Sequence, residues 1–312
     1  MRSTSHESLA APARIAASFP DPGWRRTDTV LPGDGLRIAT FETGRRDAGA
    51  PVILLVHGLG HWTQAAWDRL APELAAEYRI VSLDLPGFGD SEKPDLQYRL
   101  PFFVDVLRRF IEARQLDDVL LAGHSLGGLI GADLARDSSR IRGLVLIDPA
   151  GFMRAPRIML RVIASRPAGW LFKIRPSAGF VRRTLDQAMF DPANVSEEVH
   201  ARAYALALDP DVRRAFARIY SGALQEMLDL KGLHARLARY RGPVLLAWGR
   251  HDAYVPIAAL RNARAVYPQA HAVIFERSGH CPNVEEPQGL AAQILLMGTR
   301  AASSDGRWSR AM

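Results

Sequence analysis

The 312-residue sequence predicts an α/β protein with a mostly parallel, eight-stranded sheet, helices on both faces and an inserted helical lid. Three observations support this fold class. Short apolar runs alternate with longer segments whose apolar residues recur at helical spacing. Most of the apolar runs lack polar alternation, which is typical of parallel strands buried on both faces. The alternation is interrupted once, by a long basic segment that also has helical periodicity.

The strands and helices follow from these runs. The first two strands are expected to pair as a hairpin across the turn Pro-Gly-Asp-Gly at 32–35. The strands whose limits the sequence indicates lie at 36–43, 51–58, 78–84, 118–123, 142–148, 243–249 and 271–277. Helices are predicted at 64–77, 100–115, 125–136 and 284–297.

The interruption divides the predicted core into two parts. Between residues 152 and 241 there are 16 Lys and Arg against 8 Asp and Glu, although the whole chain has a net charge of only +7. A helical insertion after the middle strand would lie above the carboxyl ends of the strands, where ligands bind in such sheets. We expect an extension at 1–27, the core at 28–151 and 241–299, a lid at 152–240 and a flexible tail at 300–312.

Composition restricts the class of protein. A hydrophobic content of 48% and a charged content of 23% are typical of a globular domain. The single cysteine, Cys281, cannot form an internal disulfide and suits a reducing compartment. We see no apolar core of a signal peptide and no run of 18 apolar residues, so we expect a cytoplasmic protein.

The run VLLAGHSLGG at 119–128 supplies a candidate nucleophile, Ser125, between a predicted strand and a predicted helix. Gly123 and Gly127 would keep a sharp turn at this point free of clashes. A serine hydroxyl is a weak nucleophile until a base takes its proton, and a third group must orient that base. The start of a helix beneath the serine would favour developing negative charge.

Two further residues at strand ends complete a predicted catalytic triad. Asp252 follows the strand at 243–249, and His280 follows the strand at 271–277. Parallel strands bring such loops to one edge of the sheet, and the chain order Ser, Asp, His is typical of a nucleophile on a strand-to-helix turn. We predict His280 as the base and Asp252 as the orienting acid, with Asp148 as the alternative acid.

Backbone N–H groups are the expected stabilisers of a tetrahedral intermediate. We predict that the N–H groups of Leu126 and Leu59 form this oxyanion hole, with Gly60 as the alternative to Leu59. His61 and Trp62 follow the same loop. They either line the substrate pocket or serve as a helix-start residue and a packed indole.

Five short motifs occur in the order in which they occur in the α/β-hydrolase superfamily, which this chain resembles over 28–151 and 241–299. The motifs are HGLG at 57–60, DLPGFGDS at 84–91, GHSLGG at 123–128, GRHDAYVP at 249–256 and SGHCPNVEEP at 278–287. The resemblance implies a serine hydrolase, usually of esters, that needs no cofactor. Dehalogenases and epoxide hydrolases of this superfamily carry an aspartate at the nucleophile position, so Ser125 argues against both.

A second enzyme class in the superfamily stays open. C–C bond hydrolases of ring-cleavage products typically resemble GGGPG in the oxyanion loop and GNSMGG at the nucleophile, with a tryptophan after the catalytic histidine. This chain has Leu59, His124 and Cys281 at those places. We therefore predict ester hydrolysis through an acyl-enzyme on Ser125. The alternatives are a C–C bond hydrolase and a non-catalytic ligand-binding protein of the same fold.

The predicted lid indicates the partners. Its first half, 151–183, mixes apolar residues with eight basic ones and no acidic one. An apolar lid face would suit a hydrophobic small-molecule ester. The basic face is either solvated or makes weak contact with an anionic membrane surface. No cluster of residues has the spacing of metal ligands, and no nucleic-acid-binding motif is present. We therefore predict that the protein binds neither a metal ion nor nucleic acid.

Overall fold

The computed structural model describes residues 22–153, 174–222 and 229–302, with side chains to 298. These residues form an eight-stranded sheet in the order β1-β2-β4-β3-β5-β6-β7-β8. The strands are β1 (Arg25–Val30), β2 (Arg37–Gly44), β3 (Val52–Val56), β4 (Arg79–Leu83), β5 (Val119–His124), β6 (Ile141–Ile147), β7 (Val244–Gly249) and β8 (His271–Phe275). The β1–β2 and β2–β4 pairs are antiparallel and the other pairs are parallel, which confirms the predicted fold class.

Helices cover both faces of this sheet. They are α1 (Thr63–Trp67), α2 (Ala71–Leu74), α3 (Leu100–Ala113), α4 (Leu126–Ala135), α5 (Ala178–Asp186), α6 (Glu197–Leu208), α7 (Pro210–Gly222), α8 (Leu230–Leu237), α9 (Leu260–Val266), α10 (Pro282–Glu285) and α11 (Pro287–Ala302). In β3, Leu54 and Val56 pack with residues of α3 and α4, whereas Ile53 and Leu55 pack with α1, α2 and α11. Because both faces are buried, the strand is apolar throughout.

Prolines account for two differences from the predicted helices. The segment predicted as one helix at 64–77 forms α1 and α2, and Pro72 lies in the first turn of α2. The helix predicted at 284–297 is α11, which begins at Pro287 after the short α10. Proline has no N–H and its ring crowds the preceding turn, so each one begins a new helix.

Two elements were located incompletely by the sequence. The strand β1 begins at Arg25, three residues inside the segment expected as an extension at 1–27. The helix α9, Leu260–Val266, has no counterpart among the predicted helices. It is only seven residues long, too short for a clear helical period.

The segment between β6 and β7, predicted as the lid, contains α5 to α8 in its described part. We call residues 152–240 the insert. Most of the basic segment 151–183 and the stretch 223–228 lie outside the described residues, as do 1–21 and 303–312. Membrane contact through the basic lid therefore stays a prediction. Within the described ranges, no helix is both long and apolar enough to cross a bilayer.

Candidate active site

Ser125 occupies a sharp turn between β5 and α4. Its backbone has φ 52° and ψ −115°, in the left-handed half of conformational space that side chains other than glycine rarely adopt. The Ser125 N–H donates to the carbonyl oxygen of Ile147 at 2.9 Å, and its own carbonyl accepts from Ala150 N–H at 3.0 Å. These bonds to the end of β6 and to the loop that follows it hold the turn.

Two glycines permit the close backbone contacts that this turn requires. A methyl group on Gly127 would lie 2.2 Å from the carbonyl oxygen of Val56 in β3. A methyl group on Gly123 would lie 2.5 Å from the carbonyl oxygen of Gly127. The sequence-based expectation that these glycines relieve clashes therefore has a specific geometric cause.

Asp252 and His280 form a buried hydrogen-bonded pair. His280 Nδ1 lies 2.7 Å from Asp252 Oδ2, and both residues are 6% exposed. The other oxygen, Asp252 Oδ1, accepts the backbone N–H groups of Tyr254 at 2.7 Å and Val255 at 2.9 Å. The carboxylate is thereby fixed in orientation, and the imidazole presents its second nitrogen, Nε2, away from it.

His124 connects the serine turn to His280. Its Nε2–H donates to the His280 carbonyl oxygen at 2.7 Å, and the two imidazole rings are 4.8 Å apart between centroids. No hydrogen bond joins Ser125 Oγ directly to His280 within the described part of the chain. Such serine–histidine bonds commonly shorten only when substrate is bound.

Asp148, the alternative acid, lies beside the pair and is not bonded to His280. It is fully buried at the end of β6, and its Oδ1 accepts Gly249 N–H at 3.0 Å. Asp148, Asp252 and His280 each place a donor atom within 4.8 Å of the others, so they are the one described trio that could surround a cation. The bond between Asp252 and His280 already occupies Oδ2 of the carboxylate and Nδ1 of the imidazole.

The predicted oxyanion loop lies against the serine turn. A methyl group on Gly58 would be 2.9 Å from Ser125 Cβ and 2.8 Å from His124 Nδ1. Among the described residues, the N–H groups of Leu59 and Leu126 have no backbone acceptor. Leu126 opens α4, where the first N–H groups of a helix have no intrahelical partner. Both donors are therefore available beside Ser125.

His57 joins the oxyanion loop to the segment 84–91. Its Nε2 accepts Leu85 N–H at 2.9 Å, and its Nδ1–H donates to the Gly58 carbonyl oxygen at 2.8 Å. Burial lowers the pKa of His57, which keeps the ring neutral and able to serve as donor and acceptor together. This histidine positions the loop.

A large apolar cavity separates the oxyanion loop from the insert. Its volume is about 560 Å³, and aromatic and aliphatic side chains dominate its wall. Residues from both sides of the wall include Gly60, His61, Phe88, Phe180, Ala207 and Phe216. The insert residues were not assigned to a site from the sequence. The only feature of the sequence that pointed to these residues was the apolar periodicity of the predicted lid helices.

The two predicted pocket residues lie in different environments. His61 lines the cavity, and burial, followed by the charges of His57 and His280, lowers its pKa to about 4. Trp62 is 2% exposed, and the guanidinium of Arg202 lies 5.2 Å from its ring centre. His61 thus faces the cavity as a neutral ring, whereas the Trp62 indole is packed.

Arg213 is the one charged side chain among the described residues of the cavity wall. Its Nη1 donates to the carbonyl oxygens of Ala207 at 3.0 Å and Leu208 at 2.6 Å, at the end of α6. A cation suits the negative end of a helix dipole. One nitrogen of the guanidinium, Nη1, is therefore engaged by the protein, whereas its buried Nε has no hydrogen-bond partner among the described residues.

Comparisons with known proteins show what the chain as a whole is similar to. Residues 53–293 match the model of the alpha/beta hydrolase family. A 2-hydroxy-6-oxo-2,4-heptadienoate hydrolase of Pseudomonas putida is 30% identical over 274 residues, 85% of this chain and 94% of the relative. A pimeloyl-[acyl-carrier protein] methyl ester esterase of Aeromonas salmonicida is 30% identical over 250 residues, 76% of this chain and 91% of the relative. The solved structure of a membrane phospholipase A is 25% identical, with a TM-score of 0.68 over 91% of this chain and 88% of that one.

Proposed function

Because this chain belongs to the alpha/beta hydrolase family, we propose that it is a serine hydrolase that cleaves carboxylic esters with an apolar acyl or alcohol group. One observation carries the proposal. A serine lies on a strained turn whose preceding residue, His124, is bonded to His280 of a buried Asp252–His280 pair, and an apolar cavity begins at the neighbouring oxyanion loop. This arrangement suits nucleophilic attack on an ester whose apolar part is transferred from water into the cavity.

The proposed mechanism proceeds through an acyl-enzyme. His280 Nε2 takes the hydroxyl proton of Ser125 as Oγ attacks the ester carbonyl, while Asp252 holds the imidazole by its Nδ1–H. The N–H groups of Leu126 and Leu59 bind the oxyanion, and each such donor contributes about 100- to 1,000-fold to the rate. His280 then returns the proton to the leaving alcohol. Water activated by His280 hydrolyses the acyl group from Ser125.

The apolar wall of the cavity supports a hydrophobic substrate. Each methylene transferred from water into such a wall contributes about 0.8 kcal/mol, close to fourfold in kcat/KM. A cavity of about 560 Å³ is within the range of small-molecule sites. We therefore expect kcat/KM to rise as the acyl chain lengthens, up to the length that fills the cavity.

A C–C bond hydrolase is the second candidate, because the Pseudomonas putida relative acts as a 2-hydroxy-6-oxo-2,4-heptadienoate hydrolase. An oxo-acid of that kind carries a carboxylate, for which a cation in the pocket would be expected. The cation on the described wall, Arg213, already donates from its Nη1 to two helix carbonyl groups, which leaves fewer of its N–H groups for a substrate carboxylate. Leu59, His124 and Cys281 also depart from the C–C hydrolase motifs. Ester cleavage is therefore the better-supported reaction.

Hydrolysis of p-nitrophenyl esters from acetate to palmitate tests this proposal, with Ser125→Ala beside the wild type. We expect hydrolysis by the wild type, no turnover by the variant, and an optimum at an intermediate or long chain. A ring-cleavage diketone is assayed with the same preparations. Serine-dependent turnover of the diketone with no hydrolysis of any ester would replace the ester proposal with the C–C one.

A further inference from the structure

Asp148 and Asp252 form a pair of buried carboxyl groups in which only one has a full set of hydrogen bonds. Asp252 accepts three, from His280 Nδ1 and from the N–H groups of Tyr254 and Val255. Asp148 Oδ1 accepts one, from Gly249 N–H, and its Oδ2 is buried with no hydrogen-bond partner of ordinary geometry. An ionised carboxylate oxygen without a partner is strongly disfavoured away from water.

In the described part of the chain, no lysine or arginine compensates a charge on Asp148. Among the described residues, neither Asp148 nor Asp252 forms an ion pair with lysine or arginine. The titratable groups that face Asp148 are Asp252 after β7, His280 and Cys281 after β8, and Glu285 on α10. Two adjacent buried carboxyl groups cannot both carry a charge at little cost. The negative charge belongs on Asp252, which has the three donors.

We propose that Asp148 is a positioning residue of the site: it keeps its proton and donates an O–H hydrogen bond to the Asp252 carboxylate, which holds that carboxylate toward His280. Asp252 is the neighbouring acceptor: an atom of each side chain lies within 4.8 Å of the other, and a side-chain hydrogen bond between the two carboxyl groups contributes to the raised pKa of Asp148. Burial, followed by the negative charge of Asp252, raises the pKa of Asp148 well above its ordinary value. Burial likewise raises the pKa of the Cys281 thiol, which keeps this neighbour neutral.

This inference rests on the proposed triad, and it predicts that substitutions of Asp148 behave differently from substitutions of Asp252, the triad acid. Replacing a triad aspartate by asparagine lowers kcat by about 10,000-fold in a well-studied serine protease. Asp148→Asn should stay within about threefold of the wild type, because a neutral amide can replace a neutral acid as donor. Asp148→Leu has a similar size and no donor, and it should lose about tenfold in kcat.

Infrared spectroscopy provides a test that needs no substrate. At neutral pH the wild type should show the carbonyl stretch of a neutral carboxylic acid, and Asp148→Asn should lack it. Burial also raises the pKa of Glu285, so Glu285→Gln is the matched control that should keep the Asp148 band. A wild-type spectrum without an Asp148 band would overturn the proposal, whether or not any ester is hydrolysed.

Kinetics with the same variants test the positioning role. Full activity of Asp148→Asn together with reduced kcat of Asp148→Leu would support donation to Asp252. A loss of 100-fold or more in Asp148→Asn would show that an ionised Asp148 is needed, which contradicts the proposal. Equal activity of the Asn and Leu variants would show that the donor is unnecessary. Should the Leu variant fail to fold, the infrared band and the Asn variant still decide.

Discussion

The strained backbone of Ser125 predicts that an inactivating substitution can stabilise the protein. At φ 52° and ψ −115°, a residue with a Cβ stores about 1–3 kcal/mol of strain. Ser125→Ala keeps the Cβ and the strain, whereas Ser125→Gly removes both. Glycine in place of alanine also loses about 0.4–1 kcal/mol through the entropy of the unfolded chain. The glycine variant should therefore be more stable than the alanine variant by about 1 kcal/mol.

Thermal and urea unfolding of the two variants measure this difference. A gain of this size raises the midpoint of a chain this long by about 2 °C. Ser138, just after α4 and outside the left-handed region, is the matched control, where glycine should be less stable than alanine. If glycine destabilises at position 125 as it does at 138, the serine turn stores no strain and the reasoning is refuted. Neither variant at 125 should hydrolyse esters.

Three further predictions concern the turn, the pH dependence of stability and the cavity. Gly127→Ala places a methyl group 2.2 Å from a β3 carbonyl oxygen and should lower the free energy of unfolding by about 3 kcal/mol or more in urea titrations. The control is Gly179→Ala in α5, where a methyl group meets open space and should raise the free energy of unfolding by about 0.5 kcal/mol. The free energy of unfolding should decrease as the pH falls from 6.5 towards 4, because the unfolded chain protonates His61 before the folded chain does. Over that range the free energy of unfolding of His61→Gln should fall by about 2 kcal/mol less than that of the wild type. Equal decreases in the two proteins would contradict the depressed pKa of His61. Ala207→Trp fills part of the cavity and should lower kcat/KM for octanoate esters at least tenfold, with little change for acetate esters. The control, Ala205→Trp on the exposed face of α6, should change kcat/KM for neither ester. An equal decrease for both esters in Ala207→Trp would place the acyl chain outside this cavity.

The central strands β3 to β7 were predictable because they are buried on both faces and are therefore mostly apolar. The helix breaks at Pro72 and Pro287 were less visible, since the apolar period continues across both prolines. Each proline nevertheless begins a new helix, because it cannot complete the preceding turn. The helix α9 offered too few residues for a period to be read.

At the site, the sequence could indicate which strand ends meet but not which side chains bond. Asp148 and Asp252 both follow neighbouring strands, so either could have reached His280. The loop after β7 decides, because the Tyr254 and Val255 N–H groups orient Asp252 towards the imidazole. The cavity wall was harder to infer, since the packing of the insert depends on contacts between residues far apart in sequence.

Trapping the acyl-enzyme tests the central claim most directly. The wild type is mixed briefly with a p-nitrophenyl ester of a medium-length acid, quenched in acid and measured by intact-mass and peptide mass spectrometry. The proposed mechanism predicts one acyl group, located on Ser125, and no acylation of Ser125→Ala. Acylation of the single cysteine, Cys281, or ester turnover that persists in Ser125→Ala would contradict it.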